Sequence, residues 1–276
     1  MSIFYLANWF FNARILGKKR PLQSVIFISD RCNLRCKHCH VVDEHNPVDK
    51  SYEQVREELQ YSYDQGSRFV DFEGGEPMIW RDGDYTVNDL VTLAKEIGFI
   101  STTVTTNAQL PFDHCIADSM WVSMDGVGMF HDEIRGEGSF DRLSKNINAL
   151  TRRCVSVNMV INSRNHSNVP AVMEFVKNSP VIASVAFNFH TPYAGTEYLF
   201  LDWEIRRQVI DQIIQYKKKG YPIMNSISGL KRMKDNDFRK YCWVTNFILP
   251  DGTRLTECTG KTAGICDQCG LCMAGE

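Results

Sequence analysis

Between residues 24 and 219 short apolar runs alternate with longer amphipathic ones, and this alternation limits the fold more than any other feature of the chain. SVIFIS (24–29), FVDFE (69–73), ISTTVTT (100–106), SMWVSMD (119–125), CVSVNMVIN (154–162) and VIASVAFNFH (181–190) read as six strands. Helical stretches lie between them. SYEQVREELQYSYDQG (51–66) starts on a capping serine, Ser51, and stops at Gly66; others run over about 86–97, 139–152, 168–178 and 202–219. Strands that feed helices imply a parallel sheet with right-handed crossovers. The strand runs are nearly continuous in apolar residues, the pattern of strands covered on both faces. Six units are fewer than the eight of a closed barrel, so an open partial barrel and a doubly wound sheet both fit the periodicity.

At 276 residues, with 43% hydrophobic and 23% charged residues, the composition is that of a soluble globular protein of one large or two ordinary domains. The net charge of −2, with no obviously basic face, gives no reason to expect a nucleic-acid partner. Ten cysteines and no cleavable signal peptide indicate a reducing, cytoplasmic setting, where thiols serve as metal ligands or reactive groups before disulfides. Three lie at Cys32, Cys36 and Cys39, and five at Cys242, Cys258, Cys266, Cys269 and Cys272. Cys115 and Cys154 stand alone and read as small buried hydrophobes.

The first 22 residues, MSIFYLANWFFNARILGKKRPL, read as an aromatic-rich helix with a basic end at Lys18, Lys19 and Arg20. Asn8, Asn12 and Arg14 interrupt an apolar run already too short to span a bilayer, and the cations follow the run, the reverse of a signal peptide. Two placements fit. The helix docks on the main domain with its apolar stripe buried, which the lack of a clear polar face favours, or it makes a peripheral contact with a membrane surface. After about residue 232 the character changes: VTNFILPDGTRLTEC (244–258) reads as a hairpin around Pro250-Asp251-Gly252, and the tail CDQCGLCMAGE leaves no room for a long element. The chain divides into an N-terminal amphipathic helix (1–22), an α/β domain (23–232) and a small cysteine-rich C-terminal extension containing a β-hairpin (233–276).

DRCNLRCKHCHVVD (30–43) follows the first strand at its carboxyl end, where ligands collect in parallel α/β folds. The spacing C-x₃-C-x₂-C supplies three thiols, one fewer than usually hold an iron–sulfur cluster. One iron would keep an open position, the mark of a catalytic as opposed to a structural site. A zinc site completed by His38 or His40 would use the same residues.

This spacing after the first strand, with an aromatic ring before the last cysteine, resembles the radical S-adenosylmethionine (SAM) enzymes. EGGEP (73–77) ends the second strand, SMDG (123–126) ends the fourth and HDEIRG (131–136) follows it, each where that family carries a motif. The resemblance spans residues 24 to about 190. It implies an α/β fold, a partial (β/α)6 TIM-like barrel. It also implies a [4Fe–4S] cluster on Cys32, Cys36 and Cys39, and reductive cleavage of SAM to methionine and a 5′-deoxyadenosyl radical that takes a hydrogen atom from an organic substrate. A reductant such as flavodoxin or ferredoxin would supply the electron. His38 occupies the position that lies against adenine, where the family more often has phenylalanine or tyrosine. Gly74, Gly75 and Glu76 would face the methionine ammonium, glycine because backbone approaches a ligand closely only without a Cβ. Thr106, Asn107, Ser123 and Asp125 sit at strand ends and suit a ribose or a carboxylate. Arg135 resembles an arginine that holds the SAM carboxylate; its bland alternative is a solvated loop residue. Asn158 is either a ribose contact or a satisfied core amide.

The spacing of Cys242, Cys258, Cys266, Cys269 and Cys272 resembles the twitch, or truncated SPASM, extension of part of that family. It implies one auxiliary [4Fe–4S] cluster on four of the five, with Cys242, Cys258, Cys266 and Cys269 the preferred set and a zinc ribbon the alternative. FHTPYAGTE (189–197) and KKKGYPIMNS (217–226) are similar to enzymes related to the adenosylhopane synthases, which act on a membrane lipid. That likeness implies an apolar or lipid substrate, with His190, Thr191, Tyr193 and Glu197 lining the substrate end. The competing readings are a small-molecule or peptide substrate, as in peptide- and protein-maturing members, and a non-catalytic iron–sulfur or zinc protein.

Overall fold

The computed structural model describes residues 2–43, 45–151 and 155–271; Cys154 and Cys272 lie outside the described residues. The elements in chain order are α1 (Ser2–Arg14), β1 (Gln23–Phe27), α2 (Tyr52–Gln65), β2 (Phe69–Glu73), α3 (Val87–Ile97), β3 (Ser101–Thr106), β4 (Ser119–Ser123), α4 (Met129–Arg135), α5 (Ser139–Asn148), β5 (Val155–Ile161), α6 (Val169–Asn178), β6 (Ile182–Phe189), α7 (Trp203–Lys218), α8 (Ile227–Arg232), β7 (Thr245–Ile248), β8 (Arg254–Leu255) and α9 (Thr259–Thr262). Local chemistry sets the boundaries. The Ser51 side chain accepts from the Gln54 amide, and Gly66 closes α2 at φ 115°. Thr86 and Asp89 form a reciprocal capping box on α3.

The sheet runs β6-β5-β4-β3-β2-β1-β7-β8. β1 to β6 pair in parallel, each beside its predecessor. A doubly wound sheet must reverse its direction of growth at a switch point; here every crossover advances the same way, so the fold is the open partial barrel. β7 adds in parallel to the free edge of β1, and β8 returns antiparallel to it. The opposite edge is also covered: Val185 of β6 bonds to Pro222 and Met224, and the Phe189 amide donates to the carbonyl of Gly270 in the C-terminal tail.

One face of the strands is apolar throughout. Ile26, Phe72, Val104, Val122 and Val157 are fully buried beneath the helices, beside Val55, Leu59 and Leu90. The other face points into the barrel and is mixed: Val25, Phe27 and Trp121 lie there beside polar side chains, so it is less apolar than the strand runs suggested. Thr103 bonds to Ser119, Thr105 to Asp71, Ser156 to Ser184 and Asn188 to Asn158. The alternation was hidden because serine, threonine and a few methionines fill a strand almost as continuously as valine does.

α1 docks by a narrow stripe. Tyr5 donates to the Gly66 carbonyl, Trp9 Nε1 to the Arg20 carbonyl at 2.9 Å, and Trp9 packs on Trp243. These partners precede β1, β2 and β7, so α1 lies at the amino ends of the strands. The outward side of α1 keeps most of its apolar side chains in solvent, so the expected burial of that stripe is only partial. No helix among the described residues is long and apolar enough to cross a membrane.

Candidate active site

The cysteine loop leaves the carboxyl end of β1 and folds against the turn that ends β2. The Gly75 amide donates to the Ser29 carbonyl at 2.7 Å and the Glu76 amide to that of Arg31 at 2.9 Å. A Cβ on Gly74 would stand 2.3 Å from the Ser29 oxygen, and one on Gly75 1.9 Å from the Arg31 oxygen. The sequence reading assigned these glycines to close approach by a ligand; what they permit in the fold is close approach of the two loops.

Cys32, Cys36 and Cys39 line one cavity with Gly74, Gly75, Asn107 and Arg135. Asn107 donates to Cys32 Sγ at 3.6 Å and to Asn33 Oδ1 at 2.7 Å. Burial pushes the Cys32 thiol up and the Cys36 thiol up to about 11, with Arg135 opposing the latter. A bound metal would therefore have to displace protons from them.

The Glu76 carboxylate is fully buried and accepts from the Met78 amide, from Thr106 Oγ1 at 2.7 Å and from the Asn107 amide at 2.7 Å. It thereby fixes the end of β3 against the β2 turn. Desolvation still raises its pKa, because three hydrogen bonds do not replace bulk water.

Arg135 is buried, not a solvated loop residue. Its Nε donates to Asp125 Oδ2 at 2.6 Å, and its Nη1 lies 3.8 Å from Cys36 Sγ. Asp125 also accepts from the Val160 amide at 2.9 Å. Burial opposes ionisation of Asp125, but Arg135, His38 and His131 together hold its carboxyl below the ordinary range. His38 Nδ1 stands 3.8 Å from Asp125 and has no hydrogen-bond partner among the described residues. Desolvation takes the His38 pKa down to about 4, so the ring is neutral at neutral pH. Ser123 lines the same cavity. Asn158 accepts from Asn188 inside the barrel, which makes it a partnered interior amide.

Two groups escaped the sequence reading. His131 shares a helical face with Arg135, being four residues before it, and accepts from the Asp125 amide through Nδ1 at 3.2 Å. The HDEIRG motif contained it, but α4 is too short for periodicity to reveal. The second is the pair Asp71 and Glu73, which alternation places on the lumenal face of β2. Burial raises both: Asp71 well above its usual range with Glu73 as the neighbouring charge, and Glu73 to about 7. The folded chain thus holds a proton on Glu73 that the unfolded chain releases near 4.5. Stability from this group falls as pH rises from about 4.5 to 7 and stays reduced above. Glu73→Gln is expected to stabilise the protein at pH 8 by about 1–3 kcal/mol, less than a full burial because Glu73 edges the cavity, and to change little at pH 4. Thermal melts of both proteins across that range check it.

Of the residues assigned to the substrate end, His190 Nε2 bonds to Thr196 and its ring meets His38 edge-on at 6.4 Å. Tyr193 stacks on His40 at 3.7 Å and its hydroxyl bonds to Thr259 at 2.7 Å. Thr191 Oγ1 accepts from the Gly270 amide at 2.9 Å. Glu197 is exposed. His190 and Tyr193 therefore stand between the two cysteine groups.

In the extension, Cys258 holds the N-cap position of α9, without a side-chain capping bond, and Cys242 lies beside it. The nearness of Cys242, with the Lys261 and Gly260 amides, pulls Cys258 down to about 6 and pushes Cys242 up; Cys266 and Cys269 are close enough to act on Cys242 as well. Asn236 holds the Cys266 carbonyl and Arg206 that of Cys269. Cys115 is buried in the core, as a lone small hydrophobe should be. Among the described residues, no three cysteine, histidine or acidic side chains close around a single metal ion.

Residues 26–176 match the family described as the Radical SAM superfamily. The chain is 27% identical over 241 residues to the Fe-coproporphyrin III synthase of Methanosarcina barkeri, covering 76% of this chain and 58% of that one. It is 28% identical over 203 residues to the pre-heme d1 synthase of Dinoroseobacter shibae, covering 65% and 46%. The chain thus spans about half the length of these curated relatives. Streptococcus suis SuiB bound to S-adenosylmethionine shares the fold, with a TM-score of 0.70 at 18% identity, over 92% of this chain and 65% of that one. SuiB has also been solved with its precursor peptide SuiA.

Proposed function

The chain belongs to the radical SAM superfamily, and from that premise we propose that it is an enzyme that reductively cleaves SAM and takes a hydrogen atom from a polar organic substrate seated in the barrel. One observation carries the reading: the three thiols, the Gly74–Gly75 turn and Arg135, held by Asp125, line a single cavity at the carboxyl ends of the strands. Cys32, Cys36 and Cys39 would hold the [4Fe–4S] cluster. Cys242, Cys258, Cys266 and Cys269 would hold one auxiliary cluster. The donor sets fit: the soft thiols of each group lie within electrostatic reach of one another, the ligand chemistry of an iron–sulfur cluster. Bound together, the cluster and SAM supply one-electron cleavage of a carbon–sulfur bond.

The protein's own groups position and shield. Arg135, fixed by Asp125, keeps a positive charge beside Cys36 and a planar donor for a carboxylate. Neutral His38 offers an uncharged wall for an aromatic base. Asn107, locked by Glu76, orients its amide at the cysteine loop. The lumen beyond carries Asp71 and Glu73 beside Val25, Phe27 and Trp121, which supports a substrate whose reacting part bears hydrogen-bond donors or positive charge. A peptide remains the second reading, supported by the fold shared with SuiB, which binds its precursor peptide. A flavodoxin or ferredoxin would supply the electron.

Anaerobic reconstitution, iron and zinc counts, then dithionite with SAM test the proposal. About eight iron atoms per chain and release of methionine and 5′-deoxyadenosine are expected. About four irons with nucleoside release would remove only the auxiliary cluster. Zinc in place of iron, or no nucleoside, would overturn the catalytic reading.

A further inference from the structure

The outward side of α1 is the largest run of exposed apolar side chains in the first part of the chain. Ile3, Phe4, Phe10 and Phe11 of the helix, with Ile15 and Leu16 just beyond it, are each between 51 and 82% exposed. They cannot turn inward, because Tyr5 and Trp9, on the opposite side of the helix, hold it against Gly66, Arg20 and Trp243. The charges that follow this helix along the chain are of one sign. Arg14, Lys18, Lys19 and Arg20 follow in sequence, and no acid occurs before Asp30, in a chain whose net charge is −2. Arg14 and Arg239 both lie over the ring of Tyr241, at 4.9 and 5.4 Å, which adds another cation from a distant part of the chain.

We propose that α1 and the two residues after it lie on an anionic lipid surface, the six apolar side chains in the interfacial layer and Arg14, Lys18, Lys19 and Arg239 at the headgroups. Aromatic and aliphatic side chains beside a cluster of cations are the chemistry of a helix that rests in a membrane interface. A second copy of this chain fits the face poorly, since a two-fold contact would bring the two clusters of Arg14, Lys18 and Lys19 together. The placement also has a consequence for the chemistry. α1 is held at the amino ends of the strands, whereas the cysteine cavity opens at the carboxyl ends. The helix therefore tethers the protein while the cavity is turned away from the bilayer, and substrate enters from water. This surface is independent of the catalytic reading.

Flotation of the full chain with vesicles tests it, using phosphatidylcholine alone and phosphatidylcholine with about a third phosphatidylglycerol. Most of the protein should float with the anionic vesicles at low salt, and severalfold less at high salt. Phe4→Ser/Phe10→Ser/Phe11→Ser should reduce binding about tenfold or more, and Lys18→Glu/Lys19→Glu should do so on anionic vesicles. Thermal melts matching wild type would show that these exposed changes leave the fold intact. The proposal is overturned by three results: no flotation with anionic vesicles, unchanged flotation of the serine variant, or a wild-type dimer that the serine variant converts to monomer without any vesicle binding.

Discussion

Cys36→Ala should fold normally and yet lose SAM cleavage by about 10³-fold or more, to the limit of detection, because a cluster held by two thiols and SAM is short of the ligands it needs. The effect should be confined to one end of the molecule. Cys36 lies beside Arg135 at the cavity, while Cys242, Cys258, Cys266 and Cys269 belong to the extension. Iron in the reconstituted variant should therefore fall by about half and not to zero. Thermal melting should change little, since the Cys36 side chain is only half-buried and its backbone carbonyl still accepts from the Cys39 amide at 3.0 Å. Methionine release measured beside iron content separates the outcomes. If the variant cleaves SAM like wild type, Cys36 is not a ligand and the loop has been misassigned.

Gly75→Ala should be nearly as damaging by another route. The added Cβ would meet the Arg31 carbonyl oxygen at 1.9 Å and its carbon at 2.3 Å, both backbone atoms that no rotamer change can move aside. The cysteine loop must shift next to Cys32, at a cost of about 3 kcal/mol or more. Iron incorporation and SAM cleavage should both drop at least tenfold, with a lower melting temperature. Gly83→Ala is the control. Gly83 has a positive φ, 57°, but nothing lies within 4 Å of its Cβ position, so only backbone strain of about 1 kcal/mol is expected and iron content should be unchanged. Equal behaviour of the two variants would mean that loop contact is not what Gly75 provides.

Much of the scaffold was legible because its signals are local. Ser51 and Gly66 mark both ends of α2 by side-chain capping and left-handed backbone, effects that act within four residues. The six strands and the cysteine spacing were legible for the same reason. α4 was not: seven residues give two turns, and its first residue follows Gly128, which offers no side-chain cap. His131 was lost with it. The polar side chains of the lumen were also missed, since STTVTT and SVNMV contain enough small or apolar residues to read as covered strands on either face.

What the sequence settled by itself was the βα repeat, the cysteine triad and the family to which they belong. These rest on order along the chain, and order is what a sequence records. The tertiary structure alone decided three other matters. It separated the partial barrel, which the family resemblance implied, from the doubly wound sheet that periodicity left open, because direction of winding is a property of strand neighbours. It showed that Gly74 and Gly75 admit the cysteine loop, because a forbidden contact exists only once two distant segments meet. It also turned the aromatic side of α1 outward, because two anchors, Tyr5 and Trp9, find partners in Gly66 and Trp243, far along the chain, and a helix fixed by one stripe must present the other to its surroundings.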